Sequence, residues 1–185
     1  MEILAHTLWT TAGVRKINAV SKKRGKLYRM NMFFTAFWGV FPDLFAFTIP
    51  FLISFYKVVI GQQEFGSFAT RHQVADGFNL SHTLYQYSHS LVIWIIVFIF
   101  LILILRRPPW VILGWALHIL IDIPSHSLAF FPTPFLFPIS EYRFPYGVAW
   151  SNYWFMIINY GALLIVWGTI LIKKYTRIQK LDKFI

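Results

Sequence analysis

The 185-residue chain contains no cysteine. That absence excludes disulfides, thiolate metal sites and cysteine nucleophiles, so any metal ion has to be held by nitrogen and oxygen donors. Negative charge is scarce as well: seven acidic residues stand against seventeen basic ones, and charged residues make up only 13% of the chain, where soluble domains carry about 25%. Apolar residues fill the space, at 57% hydrophobic and 20% aromatic, with a mean hydropathy of +0.58. This is the composition of a polytopic membrane protein.

Four apolar stretches are long enough to matter: about 31–60, interrupted by Pro42 and Pro50, then about 88–105, 108–128 and 147–172. A fifth, 1–14, is too short to span and lacks the charged start and small-residue cleavage site of a signal peptide. It reads as a helix reaching partway into the bilayer. The expected fold is therefore all-α, a single membrane domain of about four transmembrane helices plus a short N-terminal half-membrane helix.

Fourteen of the seventeen basic residues lie in three segments: 15–29, Arg106 with Arg107, and the tail after 172. With four spans these segments fall on one side, which the positive-inside rule makes cytoplasmic. Segments 61–87 and 129–146 are then the expected outward loops. Lipid head groups are the expected partners of the basic segments at about 1 kcal/mol per charge; nucleic acid is not expected, and oligomeric state is not legible. The loop 129–146, "AFFPTPFLFPISEYRFPY", cannot continue a helix through its prolines and is too apolar to float in water. It is either a belt of interfacial anchors or a cap over a pocket.

The polar residues inside the spans carry the chemistry. Asp43 and Asp122 facing lipid would each cost about 2.5–3.5 kcal/mol, so both are expected to face the interior with partners. Lys57, fourteen residues from Asp43, is the one cation near the first span outside its ends, and the third span has none. Histidines, directly or through a metal ion, are the partners on offer. In "WALHILIDIPSHS" His118, Asp122 and His126 recur every four residues and share a helix face, until Pro124 distorts its end. At 1.5 Å per residue from the basic edge, Asp43 lies about 20 Å deep, His118 about 16 Å, Asp122 about 22 Å and His89 about 25 Å. His6 joins them if the N-terminal segment dips inward. His82 is a weaker candidate ligand, His72 and Asp76 read as a solvated pair, and Ser88, Ser90, Ser125 and Ser127 are candidates for orienting the imidazoles.

The succession of "AHTLWT", "GVFPDLF", "SHS", "HILIDIPSHS" and "PTPFLFPISEYRF" resembles a bacterial family of membrane-bound, metal-dependent hydrolases of the LexA-regulated inner-membrane protein type. The resemblance covers about 1–150. It implies His6, Asp43, His89, His118, Asp122 and His126 as metal ligands. Members often carry His-Arg where this chain has Leu84 and Tyr85, and Arg143 is the candidate to supply the missing substrate-binding cation. More distantly, the sparse His and Asp pattern is similar to the all-α, zinc-dependent phospholipase C superfamily.

The expected function is a membrane-embedded hydrolase holding one to three divalent ions, zinc foremost, whose activated water attacks a lipid or lipid-linked ester on the outer-leaflet side. Asp43 and Asp122 are the candidate catalytic carboxylates, as bridges between ions or as base. The alternatives are an intramembrane protein handling metal or protons for transport, and a non-catalytic stress-response membrane protein. A conduit needs polar residues along its whole depth, whereas here they cluster in one layer.

Overall fold

The computed structural model describes residues 2–23, 29–62 and 75–182; the expected His72–Asp76 pair lies outside the described side chains. Six α-helices follow in chain order: α1 (Ile3–Lys23), α2 (Met32–Val59), α3 (Ala75–Ser88), α4 (Leu91–Leu105), α5 (Leu113–Ser125) and α6 (Tyr153–Asp182). No strand occurs among the described residues. Two helices, α2 and the Tyr153–Thr176 part of α6, are long and apolar enough to cross a membrane. The α3–α4 pair, bent by 57° at its break, makes a third if it is one broken span. The described residues are thus helical, with two to three helices that could span a membrane where the hydropathy pattern suggests four. The difference lies in α5, whose thirteen residues reach about 20 Å, short of the roughly 30 Å hydrocarbon core.

Two stretches depart further from the expectation. The N-terminal helix does not stop near residue 14 but continues through the basic residues to Lys23. A clamp ties its end to the next helix: Asn18 Nδ2 donates to the Met30 carbonyl (2.9 Å) and Asn18 Oδ1 accepts from the Met30 amide (2.8 Å). Part of the expected outward loop 61–87 is α3, which packs along α2 and buries Tyr85.

Helix ends are closed by local chemistry. Asn31 caps α2 by accepting from the Phe34 amide (3.2 Å), and Ser90 caps α4 by accepting from the Ile93 amide (3.2 Å). At the far end of α5 the carbonyls of Pro124 and Ser125 accept from the Val148 (2.9 Å) and Trp150 (2.8 Å) amides, satisfying acceptors that a helix terminus leaves open.

The core forms where α2 and α5 cross, and glycine sets how closely they approach. A Cβ on Gly114 would collide with the Thr35 carbonyl oxygen, and one on Gly39 would strike the Thr10 side chain. Thus α2 and α5 meet backbone to backbone, with the Thr10 side chain of α1 packed on Gly39, and the side chain one turn beyond Gly114, His118, is carried against the middle of α2.

The segment 129–146 is irregular and folds back over the bundle. The Phe135 carbonyl accepts from the Leu91 amide (3.0 Å), and the Phe137 carbonyl accepts from the Ser90 hydroxyl. Phe131, Thr133 and Pro134 are buried beneath it, while Phe130, Ile139, Tyr142 and Tyr146 point outward. The segment thus has a buried side turned to the bundle and an exposed aromatic side turned away from it.

Candidate metal centre

Three parts of the fold deliver the four residues of one buried cluster. Asp43 comes from the middle of α2, His89 from the break between α3 and α4, His118 and Asp122 from one face of α5. One donor atom from each lies within 4.8 Å of all the others. His118 Nε2 is 3.1 Å from His89 Nε2 and 3.2 Å from Asp122 Oδ2. His89 Nε2 lies 3.4 Å from both Asp43 Oδ1 and Asp122 Oδ2, and His118 Nε2 lies 3.6 Å from Asp43 Oδ1. The side chains of His89, His118 and Asp122 are fully buried, whereas Asp43 is 15% exposed.

The two remaining histidines approach the other carboxylate oxygen. His6 Nε2 is 3.0 Å from Asp122 Oδ1, and its ring stacks on His118 at 3.7 Å. His126 Nε2 is 3.6 Å from the same oxygen. His126 does not reach this place as a third step along the helix face: α5 ends at Ser125, and His126 is extended (φ −119°, ψ 128°). The chain leaves the helix after Pro124 and turns the ring back inward.

The outer ring nitrogens explain why the inner ones converge. His118 Nδ1 donates to the Gly39 carbonyl (2.8 Å), and His126 Nδ1 to the Phe131 carbonyl (2.9 Å). A carbonyl can only accept, so these nitrogens carry a proton, and each ring when neutral turns its Nε2 lone pair to the cluster. His89 Nδ1 meets the Ser88 hydroxyl at 2.9 Å. Three imidazoles are thereby oriented from outside, as metal-bound histidines commonly are. Their lone pairs face carboxylate oxygens that also carry lone pairs. Such a layer is repulsive unless a cation or shared protons occupy it.

The serines divide. Ser88 orients His89, and Ser125 Oγ donates to Asp122 Oδ1 at 3.4 Å. Ser90 serves instead as a helix cap bonded to the Phe137 carbonyl, and Ser127 contributes its carbonyl to a turn with Phe130. His82 is exposed on α3, its ring 6.2 Å from Phe131 and apart from the cluster. Arg143 Nη1 donates to the carbonyls of Glu141 (2.8 Å) and Tyr142 (3.2 Å). Partial burial lowers the pKa of this guanidinium, with Glu141 opposing the shift.

Two contributors escape a reading of motifs. Gly39 matters through its carbonyl, which any residue possesses, so only the packing reveals it. Tyr85 lies flat on His89 at 3.7 Å and brings its hydroxyl to 3.4 Å from Thr133 Oγ1. Its spacing four residues before His89 was the available signal.

A cleft of about 730 Å³ opens beside the cluster. Glu2, Asp43, Thr48 and His126 are its polar lining residues, and Phe47, Phe51, Phe131 and Trp150 are among its apolar ones. Arg143 is not among its lining residues. Compared with family models, curated proteins and solved structures, the chain matches none. Fold and site define the class: a helical protein with two to three helices able to cross a membrane and a buried His/Asp group able to hold a metal ion.

Proposed function

We propose that this protein is a membrane-embedded, metal-dependent hydrolase acting on a lipid or lipid-linked ester. The observation that carries this reading is the inward convergence of His89, His118, Asp43 and Asp122 with the outer nitrogens of the imidazoles tied to oxygen partners. Two imidazoles and two carboxylates make a donor set of the kind zinc accepts. When bound, such an ion supplies Lewis acidity and lowers the pKa of water.

The residues divide the remaining work. Asp122 is fully buried between the histidines and fixes the charge of the centre. Asp43, partly exposed and on the cleft wall, is placed to take a proton from water arriving with the substrate. The aromatic walls receive an acyl or isoprenoid chain, and the absence of a cation among the cleft's described lining residues favours an ester of low charge over a free phosphate. The basic ends of the chain lie on the cytoplasmic side in this reading.

The test is release of fatty acid or head group from a panel of diacylglycerols, phospholipids and lipid-linked phosphates by zinc-loaded protein in detergent. Release is expected to vanish with a chelator, return with zinc, and fall about 100-fold or more in Asp43→Asn. Turnover indifferent to both chelator and substitution, or no release from any substrate by protein holding stoichiometric zinc, contradicts it.

A further inference from the structure

A second cavity, of about 950 Å³, lies away from the metal centre between α1, α5 and α6. Its long walls are apolar, formed by side chains such as Leu120, Phe155 and Ile170. Its charged lining residues are Arg15, Lys16 and Lys173, with no acidic side chain among the described ones. All three are at the same end of the groove, because α1 and α6 run in the same direction: Trp9 meets Asn159 and Arg15 sits over the Trp167 ring at 5.3 Å. From Lys173 back to Phe155, both on the groove, α6 rises about 27 Å. That is most of the roughly 30 Å hydrocarbon core.

The groove is therefore amphipathic along its length, cationic at one rim and apolar beyond it. Its volume falls within the range of about 300–1,000 Å³ typical of ligand sites. Its neighbour α6 has only 6% of its most apolar stretch buried, so protein packing alone does not account for how this helix is held. We propose that the groove is a binding site for one anionic phospholipid, with the head-group phosphate on Arg15, Lys16 and Lys173 and an acyl chain laid between α5 and α6. Charge selects the occupant. A zwitterionic lipid brings a cation to the same rim, and a second copy of this chain would bring its own basic rim against this one. The groove shares no lining residue with the metal cluster, so metal content serves as the control for folding.

The experiment uses full-length protein purified in mild detergent and stripped of lipid. Phosphatidylglycerol or phosphatidylcholine is added back, with bound lipid counted by native mass spectrometry and thermal stability recorded. The expected result is one phosphatidylglycerol retained per chain with a rise in melting temperature, and no such retention of phosphatidylcholine. The triple variant Arg15→Gln, Lys16→Gln, Lys173→Gln should bind phosphatidylglycerol at least about tenfold more weakly. Ala19→Trp, which narrows the groove without changing charge, should lose the lipid while keeping the wild-type metal content. Equal retention of both lipids, retention unchanged in both variants, or a dimer in place of a lipid adduct would overturn the assignment.

Discussion

The crossing of α2 and α5 and the attachment of α6 are built on opposite principles. At the crossing, backbones touch through Gly39 and Gly114, and 22% of the α2 apolar window is buried, against 6% for α6. Buried polar residues are concentrated there, and three of the imidazoles, His89, His118 and His126, are each oriented by a carbonyl or hydroxyl. By contrast, α6 meets the bundle through two polar tethers, Trp9 Nε1 to Asn159 Oδ1 (2.9 Å) and the Tyr160 hydroxyl to Glu2 Oε1 (2.6 Å), through Arg15 over the Trp167 ring, and through Leu163 against Ala5 with Phe155, Tyr160 and Trp167 around them. The difference teaches where rigidity is needed. A set of donors that must converge on one point requires a backbone that cannot relax, while a helix facing lipid can remain loosely packed.

The largest break in this contrast comes from Gly114→Val. Its Cβ has no space against the Thr35 carbonyl, so α2 and α5 must part; a loss of about 3 kcal/mol or more is expected, together with loss of bound metal. Melting temperature and elemental analysis on one preparation check both. Tyr85→Ala removes the ring that lies on His89 and should cost about 3–5 kcal/mol, whereas Tyr85→Phe keeps the stacking and should cost about 1 kcal/mol. Denaturation of the pair separates the contribution of the ring from that of its hydroxyl.

These two positions show where sequence reasoning ends. The order of polar motifs is legible because aspartate and histidine are conspicuous in an apolar chain, and their spacing on α5 places His118 and Asp122 on one face. Gly39 and Gly114 are not legible, since the approach of two helices is a property of both surfaces together. Tyr85 was hidden in a stretch whose polar residues, Asn79, Gln86 and His82 among them, read as a loop until the packing of α3 on α2 is seen. The basic part of α1 was obscured in the same way: hydropathy ends where charge begins, although an amphipathic helix does not. The short α5 was read as a span because hydropathy measures apolarity and not whether lipid or protein surrounds it.

A smaller effect is expected at the centre itself. Zinc at about a hundredfold its Kd should stabilise the wild-type protein by about 2.7 kcal/mol, and Asp122→Asn should abolish that stabilisation while still folding. Melting curves with and without zinc read the difference. The smallest effect belongs to α6: Trp9→Phe, which removes the tether to Asn159, should cost about 0.6–1.7 kcal/mol and leave metal content unchanged. If metal were lost with it, the two regions would not be independent and the contrast would fail.

The central claim is that two imidazoles and two carboxylates, brought from α2, the α3–α4 break and α5, hold one ion. X-ray absorption at the zinc edge of the purified, zinc-loaded protein tests it most directly. The account predicts one tightly held ion per chain with a nitrogen and oxygen shell near about 2.0–2.2 Å and scattering from at least two imidazole rings, lost in a His118→Ala, Asp122→Asn variant that still folds. A zinc shell without imidazole, or the same spectrum from that variant, would contradict it.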